Sequence, residues 1–152
     1  MRVLAAPDKF RGSLTALEVT SAIKKAVEKS GWIPTGAPLA DGGEGTLEVL
    51  GGANRTTTVT GPSGTPVEAE WRLADRTAVI EVARVSGLAL AGGPESNNPL
   101  EATSKGTGEL IRYALEKGAE RIIVGLGGSA STDGGLGALK ALGPLARDHA
   151  IE

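Results

Sequence analysis

Apolar and polar positions follow two rhythms along this chain, one helical and one extended. Val3 to Ala6 is a short continuous apolar run closed by Pro7, the pattern of a buried parallel strand. Polar Asp8, Lys9, Arg11, Gly12 and Ser13 follow. From Thr15 to Lys29 the residues Leu17, Val19, Ala22, Ile23, Ala26 and Val27 recur at helical spacing, and Gly31 stands where a helix C-cap belongs. The opening therefore predicts strand, polar loop, helix. Trp32 to Leu39 predicts a second strand, which Pro34 and Pro38 push toward a sheet edge or a partly irregular run. Ala40 to Thr46 is a second polar loop, and Leu47, Val49 and Leu50 begin a short helix closed by Gly51-Gly52.

The middle of the chain changes character. Arg55 to Thr60 alternates weakly, Gly61-Pro62-Ser63-Gly64 is a turn, and both Val67 to Leu73 and Thr77 to Ala83 alternate polar with apolar residues. These are predicted antiparallel strands, and the change of pattern places a domain transition near Gly61. Residues 92–104 are a loop by composition. Gly106 to Lys117 is predicted helical, with Leu110, Ile111, Ala114 and Leu115 on one face and Gly118 ending it. Arg121 to Leu126 reads as the clearest buried strand, and Leu136 to Leu142 starts another helix. The recurring unit is strand, polar loop, helix, which predicts an α/β fold.

Composition narrows the chemistry. A chain of 152 residues is within the size of one domain and can bury roughly 70% of its unfolded surface. The aromatics are few, so the core is expected to be aliphatic. A net charge of −2 without a basic run argues against nucleic acid as a partner. There is no Cys, which excludes disulfides and thiolate zinc sites, and the single His is His149. Any general base in the body of the chain must therefore be Asp, Glu or Lys. The apolar run at the N-terminus is too short for a signal peptide, and no apolar stretch approaches the ~20 residues that span a bilayer. A cytoplasmic protein with a small-molecule ligand is expected.

Three polar loops follow predicted strands and precede helices, where unpaired N–H groups and a partial positive charge favour anions. In the first, Asp8 to Ser13, Lys9 and Arg11 can neutralise a phosphate, Asp8 can accept a hydroxyl proton or hold magnesium, and Ser13 adds a hydroxyl. A solvated ion pair at a helix start competes with this reading. The second, Asp41-Gly42-Gly43-Glu44-Gly45-Thr46, uses three glycines within four residues, a costly choice for a plain connection. They allow a close approach of backbone to ligand while Asp41 and Glu44 coordinate metal or hydroxyls, although a capping turn is an alternative.

The third loop, Gly125 to Gly135, offers Gly127, Gly128 and Gly134 as an anion cradle, Ser129, Ser131 and Thr132 as hydroxyl donors, and Asp133 as magnesium ligand or base. Its Gly125-x-Gly127-x-x-Ala130 also satisfies a loose dinucleotide fingerprint, which keeps a nicotinamide-dependent oxidoreductase as a lesser alternative. Lys105-Gly106-Thr107-Gly108-Glu109 is either a structural cap or a further ligand loop. Neither a Walker A sequence nor the protein-kinase motifs occur.

Taken together, Ala6-Pro7-Asp8-Lys9-Phe10-Arg11-Gly12-Ser13-Leu14, Ala40 to Thr46, Gly61-Pro62-x-Gly64-x-Pro66-Val67, Gly106-Thr107-Gly108-Glu109-Leu110-Ile111 and the Gly125 to Gly135 loop make the chain resemble the type I glycerate kinases. The matching stretches lie in family order and reach about Gly143. The resemblance implies ATP-dependent phosphorylation of D-glycerate with Mg²⁺, in which Asp8, Lys9, Asp41 and Asp133 take catalytic roles and Asp41 and Asp133 bind metal. It implies that Arg11, Ser13, Gly42, Gly43, Glu44, Thr46, Gly127, Gly128, Ser129, Thr132 and Gly134 bind substrate or phosphate. The implied fold is a flavodoxin-like (Rossmann-like) lobe, begun by residues 1–61, with part of a second α/β lobe resembling a restriction-endonuclease fold over residues 62–152. Family members are longer, and their C-terminal half has no counterpart here; the tail Pro144 to Glu152 departs from the family pattern. A non-catalytic remnant or binding fragment is the rival expectation.

Overall fold

A computed structural model describes residues 1–145; His149 and most of the divergent tail, residues 146–152, lie outside the described residues. The chain forms an α/β fold of two sheets. In the first, β1 (Arg2–Ala5) pairs parallel with β2 (Ile33–Gly36), joined through α1 (Ala16–Lys29). Thr15 caps α1 with a complete capping box: its side chain accepts from the Glu18 N–H while Glu18 reaches back to the Thr15 N–H. At the other end, Gly31 takes a φ of 75° and the Trp32 N–H bonds back to the Val27 carbonyl, closing the helix as a Schellman turn. The helix read from Thr15 to Lys29 is thus bounded by the chemistry expected of it.

The second sheet has the order β3-β4-β5-β6, built from β3 (Arg55–Thr60), β4 (Pro66–Ala74), β5 (Thr77–Glu81) and β6 (Arg121–Gly125). β3 pairs antiparallel with β4 and β4 with β5, as expected, and β5 pairs parallel with β6 after a crossover through α3 (Lys105–Glu116). A short helix α2 (Thr46–Val49) precedes this sheet and α4 (Leu136–Leu142) follows it. The pattern change near Gly61 does not coincide with the change of sheet. β3 pairs with β4 along its whole length, so the second sheet begins at Arg55.

The core belongs to the second sheet. Trp71, Ala78, Ile80 and Val85 are buried against Leu110, Ile111 and Ala114 of α3 and Leu142 of α4. The expectation of an aliphatic core needs one amendment, because its largest member is Trp71. The indole N–H reaches Thr57 Oγ1 at 3.0 Å and the ring meets Tyr113 edge-on at 6.1 Å, which satisfies both its polar and its apolar parts. Burying an indole with its one donor paired avoids the penalty of an orphaned N–H.

Two strands are less buried than their sequences imply. β1 is parallel, but Leu4 is 65% exposed because β1 has a single neighbour and only one of its faces is covered by α1. β6, whose sequence is the clearest buried-strand pattern, lies at the sheet edge with Arg121 exposed and Ile122 to Val124 half-buried, and Leu126 beyond it is 82% exposed. Continuous apolarity records that a strand is built to be covered on both faces, and here one side of each lacks a neighbouring element. Among the described residues, no helix is long and apolar enough to cross a membrane.

Candidate active site

The first unit ends in loops that overhang the second sheet, and a cleft of about 900 Å³ lies between them. Asp8, Lys9, Arg11 and Ser13 enter it from the loop after β1, Asp41, Gly43 and Glu44 from the loop after β2, and Gly127 and Gly128 from the loop after β6. These are the carboxyl ends of parallel strands, where an α/β sheet places its ligands. The volume is that of an ordinary small-molecule site.

Glycine makes the meeting of two of these loops sterically feasible. A Cβ on Gly127 would stand 2.3 Å from the Gly43 Cα, and Gly42, at a φ of 89°, lies with its backbone against Gly125 and Leu126. The backbone of Gly42 and Gly43 therefore closely approaches the Gly125–Gly127 strand end. This approach joins the two polar loops across a long stretch of sequence.

Within the cleft, Lys9 Nζ lies 3.1 Å from Asp41 Oδ1 and is mostly covered, while Asp41 is 58% exposed. The Gly43 N–H donates to the same Asp41 oxygen at 2.8 Å, and that bond, followed by the hydrogen bond and charge of Lys9, holds the Asp41 carboxyl below the usual carboxylate range. Asp8 accepts from the Lys9 N–H at 2.6 Å. Arg11 makes no ion pair among the described residues. Lys9, Arg11, Asp8, Asp41 and glycine backbone thus meet in the cleft, a set able to compensate an anion and to accept a hydroxyl proton.

Other expected residues turn away. Thr46 is buried and donates to the Gly43 carbonyl at 2.7 Å, so it shapes its loop. The loop after β6 divides: Gly127 and Gly128 reach the cleft, whereas Ser129, Thr132, Asp133 and Gly134 do not line it. Thr132 is tied to the Pro99 carbonyl and Ser129 to Ser131. α4 begins only at Leu136, so the tight strand-turn-helix that a dinucleotide fingerprint requires is not formed, which removes the support for a nicotinamide site.

Asp133 instead sits among five donors. Its Oδ2 accepts from the Ser104 N–H and hydroxyl and from the Gly137 N–H, and its Oδ1 from the Gly135 N–H and the Ser131 hydroxyl. Partial burial alone would raise its pKa, but the bonds from Ser104, Gly135 and Gly137 outweigh burial and lower it to about 2. The carboxylate is the internal anion that satisfies the starts of α3 and α4. Asp41 and Asp133 do not share the cleft, and among the described residues no group of three or more acidic or His side chains could hold a metal ion.

The segment Lys105 to Glu109 proves to be packing. A Cβ on Gly106 would meet the Thr60 carbonyl at 1.8 Å and one on Gly108 the Ala138 carbonyl at 2.1 Å. Glu109 bonds the Thr60 N–H and hydroxyl. Burial pushes its pKa up, yet those bonds and Lys105 outweigh burial and leave it lowered.

Sequence reading missed Arg84, which lines the cleft from the 3₁₀ turn Val82–Arg84 after β5, and Glu81, fully buried at the end of β5. A signal existed, since both are charged residues set into the otherwise apolar run Ala78 to Val85.

The sequence profile of the Glycerate kinase family matches residues 3–151. Glycerate 2-kinase of Escherichia coli K12 is 47% identical over 153 residues, covering 94% of this chain and 39% of its own. Glycerate kinase of Bacillus subtilis 168 is 46% identical, covering 98% of this chain and 41% of its own. A crystal structure from Salmonella typhimurium LT2, of a protein proposed as glycerate kinase 2, superposes with a TM-score of 0.76 at 45% identity over 94% of this chain and 41% of its own. This chain therefore spans about 40% of the length of the relatives it matches. The glycerate kinase family is the one to which it belongs.

Proposed function

We propose that the chain serves in-line transfer of the ATP γ-phosphoryl group to a hydroxyl of D-glycerate, with the cleft formed by the loops after β1, β2 and β6 as its site. The observation that carries this reading is the convergence of Asp8, Lys9, Arg11, Asp41, Gly127 and Gly128 on one cavity. Phosphoryl transfer depends on positioning and on compensating negative charge more than on covalent chemistry, and that is what this set supplies. Lys9 and Arg11 offset the charge of phosphate or of the glycerate carboxylate, and the glycine backbone of both loops faces the same space.

Roles divide between the aspartates by environment. Asp41 is kept anionic by the Gly43 N–H and Lys9, which suits a group that meets positive charge rather than one that takes a proton. Asp8 is then the acceptor of the hydroxyl proton. Magnesium is bound by one or two carboxylates together with substrate phosphates rather than by an all-protein cage, so Asp41, kept anionic, would hold it, and it would supply charge compensation on the phosphates. Asp133 orders the α3 and α4 starts. The two-stranded unit corresponds to the beginning of the flavodoxin-like lobe and the four-stranded sheet to part of the second lobe. The family's chemistry accords with a cytoplasmic location.

The test is ADP release by the purified chain with ATP and Mg²⁺, with and without D-glycerate. Release that depends on glycerate and falls by about 100-fold in Lys9→Met or Asp41→Asn is expected. Glycerate-dependent release that survives both substitutions would refute the assignment.

A further inference from the structure

Three carboxylates converge on one guanidinium at the edge of the cleft. Arg84 pairs through Nη2 with Glu48 of α2 and through Nη1 with Glu70 of β4, and its Nε lies 3.6 Å from Glu81 Oε1. Glu81 is 1% exposed, and its other oxygen accepts the Leu47 N–H at 2.9 Å. α2 is therefore held twice, by a backbone bond to Glu81 and by the Glu48 side chain to Arg84. This four-residue helix directly follows the loop that carries Asp41 and Gly43.

Arg84 faces the cleft, yet both of its terminal guanidinium nitrogens are already paired with protein carboxylates, and its buried Nε has no hydrogen-bond partner among the described residues. It is thus poorly placed to bind an anionic ligand, unlike Arg11, which makes no ion pair among the described residues. Nor does stability account well for the arrangement. Three carboxylates against one cation leave a surplus of negative charge, and only Glu81 is buried, while the pairs of Arg84 with Glu48 and Glu70 are partly exposed and so contribute little. What the network does specify is the place of α2 relative to β4 and β5.

We infer that Glu81 and Arg84 are positioning residues, a latch that fixes the Asp41–Thr46 loop of the first sheet unit against the second sheet and so sets the geometry of the cleft. The inference deepens the proposed function, since the loop it fixes is the one assigned to substrate and phosphate. A consequence is that loss of the latch loosens the loop locally and weakens substrate capture more than it slows the chemistry of bound substrate.

Amide hydrogen exchange on the ligand-free chain tests the latch without relying on turnover. In Arg84→Met protection of the Leu47 amide is expected to fall by about tenfold, and in the isosteric Glu81→Gln, whose neutral acceptor is weaker, by about threefold, while that of Leu110 to Ala114 in α3 changes less than about twofold. Glu81→Gln retains an acceptor for the Leu47 N–H and guards against a variant that fails to fold. Kinetically, KM for glycerate rises by about tenfold with kcat changed by less than about threefold. Unchanged Leu47 protection, or an equal loss at Leu47 and in α3, would overturn the latch. Absence of glycerate-dependent turnover in the unsubstituted chain would instead count against the glycerate kinase reading, and the exchange comparison would still decide the latch.

Discussion

The two sheets of this molecule use the same apolar vocabulary to different ends. In the second, Trp71, Ile80 and Leu110 are fully buried, and α3 and α4 close over them. In the first, Leu4 and Ile33 stand 65% and 61% exposed, although β1 is no less apolar than β5. The difference lies in neighbours: β5 has a strand on each side, whereas β1 and β2 have only each other. The charged side chains proposed for the chemistry, Asp8, Lys9, Arg11 and Asp41, all hang from the sparsely packed unit, whereas Arg84 lines the cleft from the second. Stability therefore resides mainly in the second sheet, and the chemistry is carried by loops of the first that lean on it.

The sharpest way to break this contrast is to empty the second core. Trp71→Ala should cost about 3–5 kcal/mol, the range for deleting a large buried aromatic, and a urea midpoint checks it. The seam between the units comes next. Gly127→Ala places a methyl group against the Gly43 backbone and should destabilise by about 1–3 kcal/mol through overpacking. Its effect on cleft ligands should exceed that of Trp71→Ala measured at equal fraction folded.

A smaller effect probes Asp133 as a structural anion. Its folded pKa of about 2 lies below the ordinary carboxyl value of 3.8. Its contribution is therefore complete above that ordinary value and is lost as pH falls through it toward the folded pKa, amounting to roughly 1 kcal/mol once solvent screening is allowed for. Urea midpoints for the unsubstituted chain and for Asp133→Asn should converge over that acid range and separate at neutral pH. The smallest effect belongs to the uncovered strand. Leu4→Ser should change stability by no more than about 0.5 kcal/mol, as an exposed site does, and a larger loss would show that the first unit is packed more like the second than its exposure indicates.

Local chemistry made much of the fold legible. Thr15, Glu18 and Gly31 bound α1 through contacts within a few residues, so a linear reading finds them. The cleft was legible in part for the same reason, because Asp8 to Ser13 and Asp41 to Thr46 each follow a strand directly. What the linear pattern hid is long-range. Leu4 reads as buried because an apolar strand does not reveal whether a second neighbour exists. Asp133 reads as a site residue because nothing nearby in sequence announces that Ser104 will supply two of its donors. Glu81 and Arg84 were overlooked because their partners, Leu47, Glu48 and Glu70, come from two other elements.

The central claim is that the charged loops of the first unit, resting on the second sheet, form a phosphoryl-transfer site for glycerate. Its most direct measurement is glycerate-dependent ADP release by the folded chain, compared with that of Asp41→Asn at a matched thermal midpoint. The account predicts release that requires glycerate and drops by about 100-fold in the variant. Release indifferent to glycerate, or equal in the two proteins, would contradict it.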